Sequence, residues 1–322
     1  SIASVGVAQE ARGTGVGKAL VEELHRRATA RGDALTLLYP FRAGFYRALE
    51  YGPVSAYRQL AIAPASIPRA WRKEPRNAAI FPLRPGDRPA VEALFREVAK
   101  RSTGRLSRTD AFWDRLFSDE RKSLFVATRD ETITGYLVTS LEQTEAHAKT
   151  TLVVHEITAT DDSTKRLLFG LIGAQAGQAA EAVLELDARD PIDRAFVDPD
   201  ALGHGTLAME HPFGRVANGP MVRVCHAKRA IEARGYFADG EVVMRIEGEG
   251  TLEMAVKNGR AKTRTTRKKP HLSLDRAGLA SLLFGAIAPS EGAPIGLFRL
   301  HDAASRLDAI FTLPPFFGLD PF

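Results

Sequence analysis

The chain has 322 residues, 44% hydrophobic and 26% charged residues, and a formal net charge of +5. The chain is longer than a single domain with one hydrophobic core usually is, so the sequence predicts two or three domains. The composition is that of an ordinary globular protein. No apolar run reaches the length of a membrane span, and the single Cys225 excludes an intramolecular disulfide and a Cys-based metal site.

The chain opens with a strand-like segment, a glycine-rich turn and a helix. Val5 and Val7 alternate as in a strand, and the run Arg12-Gly13-Thr14-Gly15-Val16-Gly17 follows them. Gly32 predicts the end of the helix. The spacing of apolar residues predicts that the helix buries one stripe, formed by Val16, Leu20, Leu24 and Ala28.

The glycine turn has the features of an anion site. It places unpaired backbone N–H groups and the positive end of the helix dipole beside a backbone with few side chains, which favours a pyrophosphate. The pattern matches neither GxGxxG with an acid downstream nor GxxxxGK[ST]. From these residues alone, a glycine-rich turn that binds nothing is an equal alternative.

Two further regions follow a stretch rich in Pro, Ala and Arg. From about residue 76 the pattern predicts a strand, a helix, a hairpin, a strand, a helix and a strand, which is α/β in character. From Met221 it predicts a strand and a helix, then antiparallel strands separated by glycine turns, and a last helix capped by Asp275.

One dense basic run lies between Arg260 and Lys269. Its cations alternate with Thr, as they would on the wet face of a strand. We therefore favour a solvated strand face over a polyanion site, and the spread of the remaining charge argues against nucleic-acid binding as a main function.

The glycine turn and the residues after its helix resemble a known family. Arg12-x-x-Gly15-x-Gly17 after a strand resembles the R/Q-x-x-G-x-G/A pyrophosphate loop of the GNAT acetyltransferases. The pair Phe45-Tyr46 and the turn Tyr51-Gly52-Pro53 narrow the resemblance to the enhanced intracellular survival (Eis) family of aminoglycoside and amine acetyltransferases.

The resemblance covers the whole chain and implies a mixed α/β and α+β fold. Residues 1–75 are expected to form the C-terminal part of a catalytic GNAT domain. Residues 76–220 resemble a second, degenerate GNAT-like domain, in which the run "TDDSTKRLL" replaces the pyrophosphate loop, so coenzyme A should not bind there. Residues 221–322 resemble a sterol carrier protein domain.

The resemblance also implies a site for acetyl-CoA as co-substrate. Val5 and Val7 would pair with the pantetheine arm through their backbone. Tyr46 matches the general acid of the family, and the chain-terminal carboxylate of Phe322 matches its general base, with Asp320 as a rival or helper. The pyrophosphate would be cradled by Arg12, Gly13, Thr14, Gly15, Val16, Gly17 and Lys18.

The activity implied is an acetyl-CoA-dependent N-acetyltransferase that acts on primary amines of cationic small molecules, such as aminoglycosides or polyamines. Transfer is expected to be direct, because the single Cys225 lies in the last region. A cytoplasmic homo-oligomer without membrane attachment and without a metal is expected. Two alternatives stay open: a non-catalytic protein that binds a lipid or small ligand through its C-terminal domain, and a nucleic-acid-binding protein that uses the basic run.

The sequence departs from the family at two places. Glu50 stands where the family usually has glycine; if the backbone there is left-handed, Glu costs on the order of 1 kcal/mol. In a GNAT domain, three strands and two helices precede the glycine loop, whereas only a few residues precede it here. The resemblance therefore predicts a longer native protein, and weak or no activity for these 322 residues alone.

Overall fold

A computed structural model describes residues 1–73, 77–144, 149–200, 209–314, 316 and 317. The chain forms two compact units. The split unit combines Ser1–Ala56 with Asn218–Phe322, and the middle unit comprises Tyr57–Ala217. The domain boundaries near residues 75 and 220 stay a prediction, since the two units are defined by packing.

Both units contain helices and strands. In chain order, the helices of the described residues are α1 (Val16–Arg31), α2 (Ala43–Arg47), α3 (Arg88–Lys100), α4 (Asp110–Ser118), α5 (Asp162–Ala174), α6 (Ala227–Ala233), α7 (Arg276–Leu283), α8 (Pro289–Gly292) and α9 (Ala304–Phe311). The strands are β1 (Leu35–Leu38), β2 (Gly52–Pro53), β3 (Ala56–Ile62), β4 (Ala78–Pro82), β5 (Ser123–Arg129), β6 (Thr132–Thr144), β7 (Lys149–Ala159), β8 (Glu181–Asp187), β9 (Gly214–Asn218), β10 (Met221–Val224), β11 (Gly240–Ile246), β12 (Gly250–Lys257), β13 (Arg260–Thr265), β14 (Leu272–Leu274) and β15 (Arg299–Leu300).

The middle unit is a seven-stranded sheet covered by helices on both faces. Its strand order is β4-β5-β6-β7-β8-β3-β9. β7 and β8 are paired in parallel and are connected along the chain by α5. Successive side chains of a strand point to opposite faces. Tyr136 and Val138 of β6 accordingly pack in the cluster with α3 and α4, while Leu137 packs in the cluster with α5. The predicted α/β order of this region is confirmed, and α4 is an element that the sequence analysis missed.

The C-terminal part of the split unit is a five-stranded sheet with helices on one face. The strand order is β13-β12-β11-β14-β15. Inward residues of β11 and β12 pack with α6, α7 and α9 in one core. Asp275 caps α7 as predicted, because its carboxylate accepts a hydrogen bond from the Gly278 N–H at 2.6 Å.

A three-stranded sheet joins the front of the split unit to its C-terminal part. β10 lies between β1 and β2 and is antiparallel to both. Strands from distant parts of the sequence thus share one ladder, which places α1 and α2 against residues of the last hundred positions.

One expectation for the first helix region is wrong and a second is correct only in part. Val5 and Val7 do not form a strand: Ser4 is left-handed (φ 55°), and residues 1–8 are irregular apart from a bond from the Ile2 N–H to the Leu37 carbonyl at 2.8 Å. In the predicted stripe of α1, Ala28 is buried and Leu24 packs against the core, but Val16 is 50% and Leu20 40% exposed. Val21 and His25 complete the buried face in their place.

No helix within the described residues is long and apolar enough to cross a membrane.

Candidate functional site

The glycine turn before α1 leaves its backbone open on one side. Gly13 and Gly15 are left-handed, with φ of 83° and 88°. No heavy atom outside the adjacent residues lies within 4 Å of the position that a Cβ atom would take at either glycine. Side chains are strained in this conformation, so glycine allows both the turn and close approach of a ligand.

The start of α1 is a set of backbone donors without a side-chain cap. Its N-cap residue, Gly15, has no side chain to accept a hydrogen bond, and the Ala19 N–H is the donor to the Gly15 carbonyl at 3.0 Å. The N–H groups of Val16, Gly17 and Lys18 precede this bond and have no intrahelical acceptor. Together with the helix dipole they favour a negatively charged group at this mouth.

Thr14 and the two basic residues of the loop differ in what they contact. The Thr14 hydroxyl donates to the Ala11 carbonyl at 2.7 Å, which closes the turn ahead of the helix. Arg12 is exposed, and the Lys18 ammonium lies 3.8 Å from the Glu22 carboxylate on an exposed helix face. Both cations are therefore exposed to solvent in the residues around the start of α1.

Gly17 brings the irregular start of the chain close to α1. A Cβ atom at Gly17 would lie 3.2 Å from Cγ2 of Val7 and 3.9 Å from the ring of Phe45. Val5 packs against the cluster that contains Val21 and Tyr46. The structure therefore brings together the predicted glycine turn, the two valines and the aromatic pair.

Tyr46 is a buried ring whose hydroxyl makes no hydrogen bond to any described residue. Its side chain is 3% exposed and lies edge-on to Phe41, Phe45 and Tyr51, with centroid distances of 5.7, 5.0 and 5.7 Å. Burial raises the pKa of Tyr46 above its ordinary value, so the phenol stays protonated. The hydroxyl is therefore available as a donor to a bound group.

A tight turn follows α2 and fixes the backbone of Tyr46. The Tyr46 carbonyl accepts hydrogen bonds from the N–H groups of Leu49 and Tyr51, at 2.9 and 3.1 Å. The Glu50 N–H donates to the Arg47 carbonyl at 3.1 Å. This is the Schellman pattern, which usually places glycine at the left-handed position. Glu50 occupies that position with φ of 66°, which confirms the conditional expectation of a left-handed turn at a cost of about 1 kcal/mol.

A buried polar network below Tyr46 was missed by the sequence analysis. The Tyr51 hydroxyl lies 3.0 Å from Nε2 of His25 and 3.0 Å from the Thr36 hydroxyl. Burial, with the nearby Arg223 guanidinium, lowers the pKa of His25 to about 4. Burial raises the pKa of Tyr51 to about 12. The network is thus neutral at physiological pH and fixes the Tyr51 ring, whose centroid is 5.7 Å from that of Tyr46.

The pKa of His25 predicts a pH dependence of stability. The folded state holds His25 neutral down to about pH 4, whereas the unfolded chain takes up the proton near pH 6.5. Its contribution to the free energy of unfolding, on the order of 3 kcal/mol, is present above pH 6.5 and lost as the pH falls towards 4.

Denaturant unfolding at several pH values, with wild type and His25→Gln, measures this effect. Gln keeps a polar group near Tyr51 without titrating, so the variant should lose less stability between pH 6.5 and 4. A His25 pKa near 6.5 by NMR would contradict the prediction.

The corresponding helix start in the middle unit is occupied by a protein carboxylate. Asp161 caps α5 by accepting the Thr164 N–H at 2.9 Å, and it also accepts the Thr164 hydroxyl at 3.0 Å. The Arg129 guanidinium lies 3.4 Å from the same carboxylate. A charged side chain thus takes the place of an anion, which supports the expectation that coenzyme A does not bind there.

Two other sequence predictions have different outcomes. Phe322 and Asp320 lie outside the described residues. The first part of the basic run forms β13 as predicted, with exposed cations on one face, whereas Arg267, Lys268 and Lys269 follow the end of the strand. Arg264 and Lys268 contact the Glu253 carboxylate at 2.9 and 2.5 Å, so part of its charge is neutralised within the sheet.

Comparison with known families supports the predicted organisation. Two models described as acetyltransferase (GNAT) domain match residues 104–224 and 1–54. A model described as sterol carrier protein domain matches residues 227–317. The predicted mixed fold, with two GNAT-type regions and a C-terminal sterol-carrier-like domain, is confirmed.

Individual proteins agree with these matches. N-acetyltransferase Eis of Mycobacterium tuberculosis is 26% identical over 325 residues, which cover 96% of this chain and 76% of the relative. A crystal structure of a GCN5-related N-acetyltransferase from Anabaena variabilis has a TM-score of 0.82 at 20% identity, over 98% of this chain and 80% of that chain. Eis1 from Mycobacterium abscessus has a TM-score of 0.75 at 22% identity, over 98% of this chain and 81% of that chain.

Proposed function

We propose that this chain, an acetyltransferase homologous to the Eis N-acetyltransferases, transfers the acetyl group of acetyl-CoA to primary amines of cationic small molecules. The observation that carries the proposal is the start of α1, which has no side-chain cap. Gly17 at this start lies beside Val7, and Val21 of the same helix packs in one cluster with Tyr46. The relatives' names specify acetyl transfer to nitrogen, and the choice of acceptor is our inference.

The residues of the glycine turn fit the diphosphate of coenzyme A. Open space lies beside Gly13 and Gly15, and backbone donors follow at Val16 and Gly17. We assign the diphosphate to the run from Arg12 to Lys18, with the backbone of Val5 and Val7 facing the pantetheine arm. When bound, acetyl-CoA supplies the acetyl group already activated as a thioester.

Tyr46 is proposed to act at the thiolate that leaves when the acetyl group is transferred. The ordinary pKa of a phenol, near 10, already exceeds that of a thiol, near 8.5, and burial raises the pKa of Tyr46 further. Complete proton transfer from the phenol to the thiolate is therefore unfavourable in free energy. A hydrogen bond from the hydroxyl to the developing thiolate does not require the phenol to ionise. Tyr46 thus serves as a general acid mainly by stabilising the leaving thiolate.

The terminal carboxylate of Phe322 is proposed as the general base. The attacking amine must be neutral, and a free carboxylate with a pKa near 3.5 is a weak base for an ammonium ion. Burial would raise the pKa of the carboxylate, or a water molecule would relay the proton. This assignment rests on the family resemblance, because Phe322 lies outside the described residues.

We also propose a cytoplasmic homo-oligomer. Large apolar side chains are exposed near the site, with Val16 50%, Leu20 40% and Phe41 69% exposed. Exposed apolar side chains favour contact with further protein, and the family resemblance implies a second copy of the chain. The buried single thiol, Cys225, is compatible with a reducing compartment.

A second candidate function is the non-catalytic binding of a lipid or small apolar ligand. The match of a sterol carrier protein domain to residues 227–317 favours it. Under this alternative the glycine turn would have no role.

A panel of amines with acetyl-CoA, followed by release of the free thiol, tests the proposal. Wild type, Tyr46→Phe and a chain lacking Phe322 are compared, with the protein carrying any residues that precede Ser1 in its native form. Turnover by wild type and its loss in both variants is expected. Full activity in both variants would contradict the catalytic roles assigned to Tyr46 and Phe322. No turnover by wild type, together with bound lipid in native mass spectra, would favour the second candidate function.

A charge at Gly15 should weaken binding of acetyl-CoA. Gly15→Asp places a carboxylate at the mouth of α1, as Asp161 does at α5. We expect the KM for acetyl-CoA to rise about 10-fold or more relative to Gly15→Asn, which has the same size and tolerates a left-handed backbone. Steady-state kinetics measure this difference, and equal KM values for Asp and Asn would contradict it.

A further inference from the structure

Glu50 ties the turn below Tyr46 to two arginines from the C-terminal part of the split unit. Its carboxylate lies 2.7 Å from Nη2 of Arg223 and 3.5 Å from Nη1 of Arg276. Arg223 belongs to β10, and Arg276 is the first residue of α7. A glycine would adopt the left-handed backbone at position 50 without strain, so the carboxylate is the feature that distinguishes Glu there.

The guanidinium groups of both arginines are largely buried, and few acceptors compensate their charge. The Arg223 side chain is 11% exposed and that of Arg276 is 22% exposed. The Nε atom of each is buried and has no hydrogen-bond partner among the described residues. Arg276 also contacts the Glu249 carboxylate at 3.1 Å, whereas the one carboxylate paired with Arg223 in the described structure is that of Glu50. The Glu50–Arg223 pair is therefore the stronger constraint of the two.

The pair is connected to Tyr46 through the next residue. Tyr51 follows Glu50 directly and donates its N–H to the Tyr46 carbonyl at 3.1 Å. The ring of Tyr51 lies edge-on to that of Tyr46, and its hydroxyl is held by His25 and by Thr36, which is opposite Arg223 in the β1–β10 ladder. A shift of Glu50 would therefore move the support on which the Tyr46 ring packs.

We infer that Glu50, held by Arg223 and Arg276, is a positioning residue for Tyr46, and that the C-terminal part of the chain thereby supports the acetyltransferase site. This inference rests on the proposed role of Tyr46 in acetyl transfer. It assigns to the C-terminal part a contribution to the transfer reaction that is independent of any ligand it binds.

Four variants of the full-length protein test the inference by kinetics: Glu50→Gln, Glu50→Gly, Arg223→Gln, and the double variant that combines Glu50→Gln with Arg223→Gln. Glu50→Gln removes the charge and keeps the backbone strain, and Glu50→Gly removes both. Each should lower kcat about 10-fold and leave the KM for acetyl-CoA within about twofold, because the cradle at α1 is untouched. Glu50→Gln with Arg223→Gln should be no slower than the slower single variant, since the two side chains act as a pair.

Glu23→Gln is the matched control. Glu23 also contacts two arginines, Arg26 and Arg27, at 2.7 and 2.8 Å, but on the exposed face of α1. Its kcat should equal that of wild type. Wild-type kcat in Glu50→Gly, or losses in the double variant that multiply those of the single variants, would overturn the inference.

A readout without catalysis separates the inference from the proposed function. The ¹⁹F NMR signal of 3-fluorotyrosine at position 46, assigned by its loss in Tyr46→Phe, should shift in both Glu50 variants and stay fixed in Glu23→Gln. A shifted signal in a protein whose wild type acetylates no amine would keep Glu50 as a positioning residue for the Tyr46 ring, but it would remove the proposed function and with it the contribution to transfer. An unmoved signal would overturn the inference, even if kcat falls.

Discussion

Replacing Tyr46 by Phe is expected to lower kcat for acetyl transfer about 100-fold or more, while the KM for acetyl-CoA changes little. The substitution removes one hydroxyl from a ring that is 3% exposed, so the packing against Phe45 and Tyr51 is kept. A positioned general acid typically contributes about 10²–10⁴-fold to a rate. Steady-state kinetics with the best amine of the panel measure the loss.

Tyr57→Phe, in the middle unit, is the control and should keep wild-type kcat. Because burial raises the pKa of Tyr46, ionisation of this phenol should not reduce activity at or below pH 10. A fall in kcat with an apparent pKa below 10 that disappears in Tyr46→Phe would contradict the protonated, buried state of the residue.

Replacing Arg108 by Ala is expected to destabilise the middle unit by about 3–5 kcal/mol, the usual cost of breaking a buried ion pair. The Arg108 side chain is 5% exposed, and its guanidinium lies 3.0 Å from the Glu156 carboxylate. It also lies over the rings of Phe95, Phe112 and Trp113, at 3.9, 4.5 and 4.8 Å from their centroids. The variant leaves the Glu156 carboxylate, which is 15% exposed, with only the more distant Arg105 guanidinium at 3.4 Å, and it removes the cation that lies over the three rings.

Intrinsic fluorescence reports on this unit selectively, because both tryptophans of the chain, Trp71 and Trp113, belong to it. Arg96→Ala is a suitable control: its side chain is 65% exposed and its ion pair with Glu92 spans 3.9 Å. Such a surface pair contributes about 0–1 kcal/mol. Equal denaturant midpoints for the two variants would contradict a structural role for Arg108.

Glycine positions and apolar spacing in the sequence predicted the helices and turns around the site, but they did not predict which face of α1 is buried. Gly15 and Gly32 bound α1 as expected, since both residues are left-handed there. The predicted stripe through Val16 and the buried stripe through Val21 share Ala28, and both have the spacing of three or four residues that is typical of a helix face. The choice between them depends on β1 and α2, which pack against the second stripe, and periodicity within one helix carries no information about those partners.

The network below Tyr46 escaped the sequence analysis for a similar reason. His25 lies four residues after Val21 and three before Ala28, so its position on the buried face was readable only after the correct stripe was known. Its hydrogen bond to Tyr51 joins residues 26 positions apart and depends on how α1 packs on the turn. Glu50 was noticed because it replaced an expected glycine, while its arginine partners are 173 and 226 positions away.

The β1–β10–β2 ladder has a consequence for synthesis on the ribosome. β1 and β2 emerge early, but their central partner, β10, follows the whole middle unit. At about 5–20 residues per second, the nascent chain waits on the order of ten seconds or more before this ladder can close. We expect the middle unit to fold first, while the edges of β1 and β2 that pair with β10 stay unpaired and open to capture by chaperones.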